Sequence, residues 1–370
     1  MKGMFLRVLI SMMVFFLFSS VVFASENGGL REWTILFYTC TDNNLETYTF
    51  RDFAKATCSK PGKDNITVAF MLATQNMGYW SAIIEGNPYE AGAVSLLRLE
   101  KQDMADMSLL TRFIRQTVTR YPARHYALFY QGHASGWYLH IEEEKYVSAA
   151  EMAEAVRLSG VDFEIIGFDA CLMSSIETAY EFRNLTEYII AFEDYGPWEG
   201  IVDPSLLENF SNNDDIFTIL DILAEGFITR NSEGEELDPA DISVLSTEDV
   251  EALTSFLLRY QEKLQSVEFL FNVIYAIDQS QLEPYYNLQD LYSIARAAFF
   301  DDSALWSEFL TLFQSVVIDY RQNQLKKDLP YSEFHYGLSI AVNGLYDEWD
   351  VAGTYGELSF PLRLETKDNR

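Results

Sequence analysis

Five short apolar runs constrain the fold of this chain more than any other feature. They are WTILFYT (33–39), ITVAFML (66–72), YALFY (126–130), FEIIGF (163–168) and YIIAF (188–192). Each is rich in β-branched and aromatic residues and too short for a buried helix. A strand with one wet face alternates polar and apolar residues. These runs are apolar nearly end to end, so both of their faces are covered. Helical patterns stand between them, at about 45–57, 109–120, 149–158 and 172–183. Strand and helix in alternation predict an α/β fold with a mainly parallel central sheet. Residues 80–100 read as a short antiparallel excursion. The second half reads as mostly helical, over 216–230, 246–265 and 285–325, with strands at 241–245 and 335–342. It either packs onto the same sheet or forms a helical subdomain beside it.

The chain opens with MKGMFLRVLISMMVFFLFSSVVFA. Lys2 and Arg7 form a positive n-region, an apolar stretch follows, and Val22 and Ala24 place small residues where a signal peptidase accepts them. Residues 1–24 therefore read as a secretory signal peptide. The other reading, an uncleaved anchor, is disfavoured because the apolar run falls short of the roughly 20 residues of a span. No later stretch is long and apolar enough to cross a membrane. The expected destination is the periplasm or the medium, and residues 25–370 are the mature protein.

Fifty-six acidic against 26 basic residues give a net charge of −30. Removal of residues 1–24 takes Lys2 and Arg7 away and deepens the charge to −32. Such a surface repels nucleic acid and anionic membrane and favours cationic partners, besides keeping the protein soluble. The three cysteines, Cys40, Cys58 and Cys171, are too few for a disulfide scaffold, and their odd number leaves at least one thiol unpaired. Cys40 and Cys58 could pair. No Cys/His spacing resembles a zinc site.

Sites in open α/β sheets form at the carboxyl ends of the strands. His133 follows YALFY, and Cys171 follows FEIIGF 38 positions later. Neighbouring strands would bring imidazole and thiol together. A helix beginning at Leu172 would place Cys171 at its positive end and favour the thiolate. The backbone N–H groups of Ala134 and Cys171 are the candidate oxyanion donors. A third residue orienting His133 is not visible in the sequence. Taken singly, each residue also has a structural reading: the cysteine as core filler, the histidine as part of a glycine-rich loop.

The segments WTILFYTCTDNNLE, YALFYQGHASGW, IIGFDACLMSSIETAYEFRN, ISVLSTEDVEAL and HYGLSIAV occur here in that order. With them the chain resembles the clostripain-like (C11) family of cysteine peptidases, in the caspase-like clan CD. The resemblance implies a caspase-like α/β/α sandwich over about 32–210, with a mostly helical part over about 211–370 on the same unit. It implies an endopeptidase with Cys171 as nucleophile and His133 as its partner, acting on proteins or peptides after Arg or Lys. A basic P1 residue needs an acidic S1 pocket. Asp169 is the first candidate, with capping of the next helix as its other reading; Glu193 and Asp194 are alternatives. The resemblance further implies autoprocessing in the loop after the histidine, where Lys145 of IEEEKYVS is the candidate. It raises Ca2+ as a structural or activating ion, with no ligands assigned; the chemistry itself needs no cofactor. Asp42, Asn43 and Asn44 are oxygen-rich but fit a helix cap. One departure stands out: the family has glycine after the histidine where this chain has Ala134, which disfavours positive φ. That departure keeps open an alternative, a catalytically lapsed caspase-like binding or surface protein.

Overall fold

In the computed structural model of the protein, the first apolar run is the central strand. β1 (Arg31–Thr41) pairs in parallel with β2 (Ile66–Thr74) on one side and β5 (Ala123–Ala134) on the other. β5 continues in parallel to β8 (Phe163–Asp169), and β8 to β9 (Thr186–Ala191). All five apolar runs therefore lie side by side, in the order β9-β8-β5-β1-β2. Antiparallel strands extend both edges. β3 (Gly78–Glu85) and β4 (Val94–Leu99) lie beyond β2; β10 (Asp241–Ser246) and β12 (Val317–Gln322) lie beyond β9. A hairpin, β6 (Tyr138–Glu142) and β7 (Lys145–Ser148), turns off the end of β5 and completes an 11-stranded sheet. A small second sheet joins β11 (Leu288–Asp290), β13 (Ser339–Asn343) and β14 (Leu364–Glu365). The structure describes residues 30–58, 65–85, 93–142, 145–201, 215–233, 237–266, 288–329, 335–343 and 355–365. The signal-peptide reading of 1–24 lies outside the described residues.

Side-chain alternation sorts the core into two layers. On one face, Ile35, Phe37, Phe129, Ile165 and Ile190 pack against Phe53 and Ala56 of α1 (Glu46–Cys58) and Leu220, Leu223 and Phe227 of α5 (Ile216–Glu233). On the other, Leu36, Tyr38, Leu128, Tyr130, Ile166 and Phe168 meet α2 (Met107–Arg120), α3 (Ala149–Ser159), α4 (Ile176–Phe182) and α6 (Val250–Arg259). That layer also takes in α7 (Gln261–Gln265), α8 (Leu291–Phe299), α9 (Ser303–Val316) and the small sheet. The C-terminal half thus packs on the same sheet, and two of its strands belong to it. Helix ends follow their local chemistry. Asp106 caps α2, and Ser148 with Glu151 forms a reciprocal capping box on α3.

Three expectations change. The stretch 285–325 is interrupted by β11 and β12. VVIDYR reads as a continuation of α9, but its β-branched residues pair with the open edge of β10 instead. Cys40 is a free, fully buried thiol, so it makes no disulfide with Cys58. The helix after Cys171 starts at Ile176, not Leu172, and Ser175 caps it through a bond from Thr178 N–H to its Oγ (3.1 Å). The carbonyl of Gly136 accepts from Ser175 Oγ (2.7 Å) and from Thr178 Oγ1 (2.8 Å). Gly136 itself sits at φ 79°, which only glycine adopts cheaply. One buried serine therefore both starts α4 and ties it to the turn after His133. Ser175→Ala removes a cap and leaves buried groups short of a partner. It should cost about 1–3 kcal/mol in urea unfolding; a loss under about 0.5 kcal/mol, the size of a neutral surface change, would contradict that role.

Candidate active site

Parallel register decides which side chains meet. Thr39, Gln131 and Asp169 form one row across β1, β5 and β8. Thr39 Oγ1 donates to Gln131 Oε1 (2.9 Å), and Gln131 Nε2 donates to Asp169 Oδ2 (3.1 Å). Two residues beyond this row come His133, still in β5, and Cys171, in the turn that follows β8. Both line a pocket of about 370 Å³ at the carboxyl ends of the strands, as do Asp169 and Ala134. Its other walls include Leu45, a stripe of α1 (Tyr48, Thr49, Asp52), and Phe192 with Tyr195 to Trp198 and Gly200. Tyr48 and Trp198 stack across it, ring centres 4.6 Å apart.

His133 is not in a loop. β5 runs on to Ala134, and His133 pairs with His140 of β6. The buried Tyr130 hydroxyl donates to the carbonyls of His133 (3.1 Å) and His140 (3.3 Å), fixing that corner. Nε2 of His133 lies 2.7 Å from Oδ1 of Asn44. An amide oxygen only accepts, so Nε2 carries the proton and Nδ1 keeps its lone pair. Burial holds the imidazole below its ordinary pKa of 6.5, so it is neutral at pH 7. Ala134 has no positive φ, since Leu172 is the only non-glycine residue with one among the described residues. The alanine is therefore unstrained in the place where the family has glycine.

Cys171 occupies a sharp turn between β8 and α4. Leu172, the residue after it, is held at φ 66°, a strained conformation for leucine. The surroundings over-determine it: Leu172 N–H donates to the Asp194 carbonyl (2.9 Å), Ser174 N–H to that of Phe192 (2.8 Å), and Ser339 N–H to that of Ser174 (2.9 Å). The thiol is not at a helix N-terminus, because α4 begins five residues later. Burial instead pushes Cys171 up to about 11; the Gly196 N–H at 3.3 Å from Sγ offsets this in part, while Asp194 and Asp169 add to it. The helix-stabilised thiolate expected from the sequence thus gives way to a neutral thiol that shares its pocket with a neutral imidazole.

The candidate acids separate. Asp169 lines the pocket, and its carboxylate accepts from Gln131 and from Ile201 N–H (3.2 Å). Burial raises its pKa, with those bonds and Arg230 pulling the other way. A Cβ on Gly200 would come within 2.2 Å of Asp169 Oδ2, so glycine makes room for the carboxylate. Helix capping is not its role, since Ser175 does that. Glu193 and Asp194 do not line the pocket. Asp194 is paired with the buried Lys326 ammonium, which also lies 3.4 Å from Asp241. Glu193 accepts from Gly337 N–H (2.7 Å), and burial, then Asp290, raise its pKa well above the usual carboxylate range. Both acids lock the end of β9 to the C-terminal half. Lys145 is the first residue of β7, its Nζ bound to Asp103 (3.0 Å) and Glu142 (3.2 Å).

The sequence profile of the Clostripain family matches residues 37–318, most of the chain. The chain belongs to the clostripain family of cysteine peptidases. No curated protein matches it. Among solved structures, it is similar to an inactive zymogen C11 protease from Parabacteroides distasonis, at 21% identity and a TM-score of 0.68, covering 90% of this chain and 97% of that one. It is similar to a secreted C11 cysteine protease from Bacteroides thetaiotaomicron, solved with an irreversible peptide inhibitor. The identity there is 16% and the TM-score 0.68, over 89% of this chain and 97% of that one. These likenesses show that this clostripain-family chain has the caspase-like sandwich fold.

Two pocket residues, Asp52 and His140, carry no mark in the sequence, and Asn44, which reads there as a helix-cap residue, instead meets His133. His140 accepts or donates at 3.1 Å from Ser135 Oγ, and burial together with His133 drives its pKa down to about 4. One cluster of potential metal-ligating side chains occurs among the described residues. Asp194, Asp241 and His335 converge, but an ammonium fills the space between the two carboxylates, and a histidine suits an oxygen-seeking ion poorly. Asp42, Asn43 and Asn44 diverge, to Tyr79 (3.0 Å), to Leu45 N–H (2.9 Å) and to His133. A thiol of this kind should alkylate ever faster with rising pH. The rate of iodoacetamide capture at Cys171 should keep climbing past pH 9; a plateau reached by pH 7 would show a preformed thiolate.

Proposed function

We propose that this peptidase is an exported endopeptidase that cuts after arginine or lysine, with Cys171 as nucleophile and His133 as general base and acid. The observation that carries this reading is the matched register: His133 and Cys171 each stand two residues beyond the hydrogen-bonded Gln131–Asp169 pair and share one pocket.

Because both groups start neutral, the first step is proton transfer. The Cys171 S–H proton passes to the Nδ1 lone pair of His133 as sulfur attacks the scissile carbonyl. Asn44 Oδ1 accepts from Nε2–H, which orients the ring and stabilises the imidazolium that forms. The N–H groups of Ala134 and Cys171 are the candidate donors to the oxyanion. His133 then returns its proton to the leaving amine, leaving a thioester, and accepts another from water to hydrolyse it. Cys171, His133 and water supply every proton and electron pair, so no cofactor enters the cycle.

Asp169, at the base of the pocket, is the S1 acid for a P1 cation. The irreversible peptide inhibitor on the Bacteroides thetaiotaomicron relative supports a peptide substrate, and that relative's description as secreted supports export by residues 1–24. No helix among the described residues is long and apolar enough to cross a membrane. Autoprocessing after Lys145 would open the β6–β7 hairpin, which carries His140 into the pocket.

Intact-mass analysis with an arginyl or lysyl acyloxymethyl ketone tests both parts. The wild type should gain one adduct on Cys171, and Cys171→Ala none; His133→Ala should lose roughly 10²–10⁴-fold in kcat/KM. Clipping after Lys145 should appear in the wild type and vanish in Cys171→Ala. Absence of any adduct with basic probes would refute the dyad reading, and an active wild type that stays whole would refute obligatory processing.

A further inference from the structure

The pocket holds a second carboxylate that the reading above does not use. Helix α1 presents Tyr48, Thr49 and Asp52 to the cavity, with Leu45 just before it, a spacing that puts the three on one helical face. Asp52 closes the stripe. Its side chain is only 13% exposed, although it borders the pocket. Asp169, the last residue of β8, lines the same cavity.

The neighbouring cations are committed elsewhere. Arg51 Nη2 binds Glu199 Oε1 (2.8 Å), and Lys55 Nζ lies 3.8 Å from Glu199 Oε2. Arg230 Nη2 is directed at the carbonyls of Gly200 (2.5 Å) and Ile201 (3.1 Å). Among the described residues, Asp52 has one ion-pair contact, Arg51 Nε at 3.8 Å. Two nearly buried carboxylates thus line one cavity, an arrangement that a cationic ligand would relieve.

We propose that Asp52 is a second specificity-determining acid of S1, so that a P1 guanidinium is held between Asp52 and Asp169. This rests on the basic-P1 reading and adds a residue to it. The stacked Tyr48–Trp198 pair above offers a face to the aliphatic stem and the planar cation. A guanidinium fork can serve two carboxylates at once, whereas an ammonium is a point charge, so arginine should be preferred over lysine. The charge state agrees. Burial, and then the charge of Asp169, raise Asp52 to about 7, with Lys55 and Arg51 opposing and Glu199 adding. An incoming cation would lower that pKa and favour the charged carboxylate.

The test uses matched peptide amides with arginine, lysine or citrulline at P1; citrulline keeps arginine's shape without its charge. The wild type should favour arginine over citrulline by at least about 100-fold in kcat/KM. Asp52→Asn should cut that ratio tenfold or more, through KM for arginine, with a much smaller change for citrulline and in the iodoacetamide capture of Cys171. Equal losses for arginine and citrulline would mark a structural role and overturn the proposal. So would an unchanged ratio in Asp52→Asn alongside a collapsed ratio in Asp169→Asn. A wild-type ratio near one would instead overturn the basic-P1 reading beneath it.

Discussion

The register between β5 and β8 is the constraint on which the rest depends. Parallel pairing places Gln131 opposite Asp169, and a bond between their side chains fastens that row. His133, still in β5, and Cys171, in the turn after β8, each follow two residues on. A slip of one residue would turn Gln131 and His133 of β5 to the opposite face and break the row that sets where the Cys171 turn begins. Buried aromatics guard against it. Phe129 stacks on Phe37 at 5.4 Å, and the Tyr130 hydroxyl holds the far end of β5 to the β6 hairpin. Core packing and dyad geometry are therefore one problem, solved by the same strands.

The second requirement is a turn that leucine would not choose. Leu172 in the left-handed region costs of the order of 1–3 kcal/mol. Backbone bonds from β9 and from the small sheet hold it there. The ends of those elements are anchored in turn by Glu193, Asp194, Asp241, Asp290 and Lys326. A buried ammonium between two carboxylates contributes little net stability, but losing either partner leaves an unpaired buried charge. The C-terminal half thus fixes the nucleophile's turn without lining the pocket. That gives a physical reason why a caspase-like core and a mostly helical tail form one compact unit.

Much of this was legible in the sequence. The five parallel strands were, because runs such as ITVAFML admit no wet face. His133 and Cys171 were legible as strand ends, and Asp169 as an acid near the thiol. Three things were not. The start of α4 was read too early because Leu172–Met173 continue an apolar pattern, and Ser175, the better cap, was passed over. Glu193 and Asp194 read as alternative S1 acids until Lys326, 132 positions away, pairs with Asp194 and Gly337 N–H binds Glu193. Asn44 and Asp52 carry no local mark of function; only the fold turns the α1 stripe toward the pocket. The 45-48-49-52 spacing was visible, but nothing in it says which surface the stripe faces.

The central claim is that strand register delivers a neutral thiol–imidazole pair, with the histidine tautomer set by Asn44. Titration of His133 by ¹⁵N NMR, in wild type and in Cys171→Ala, tests it most directly. The account predicts a neutral ring at pH 7, protonated at Nε2, with a pKa below 6.5 that changes little when the thiol is removed. An imidazolium at pH 7 that becomes neutral in Cys171→Ala would show a preformed ion pair and contradict it.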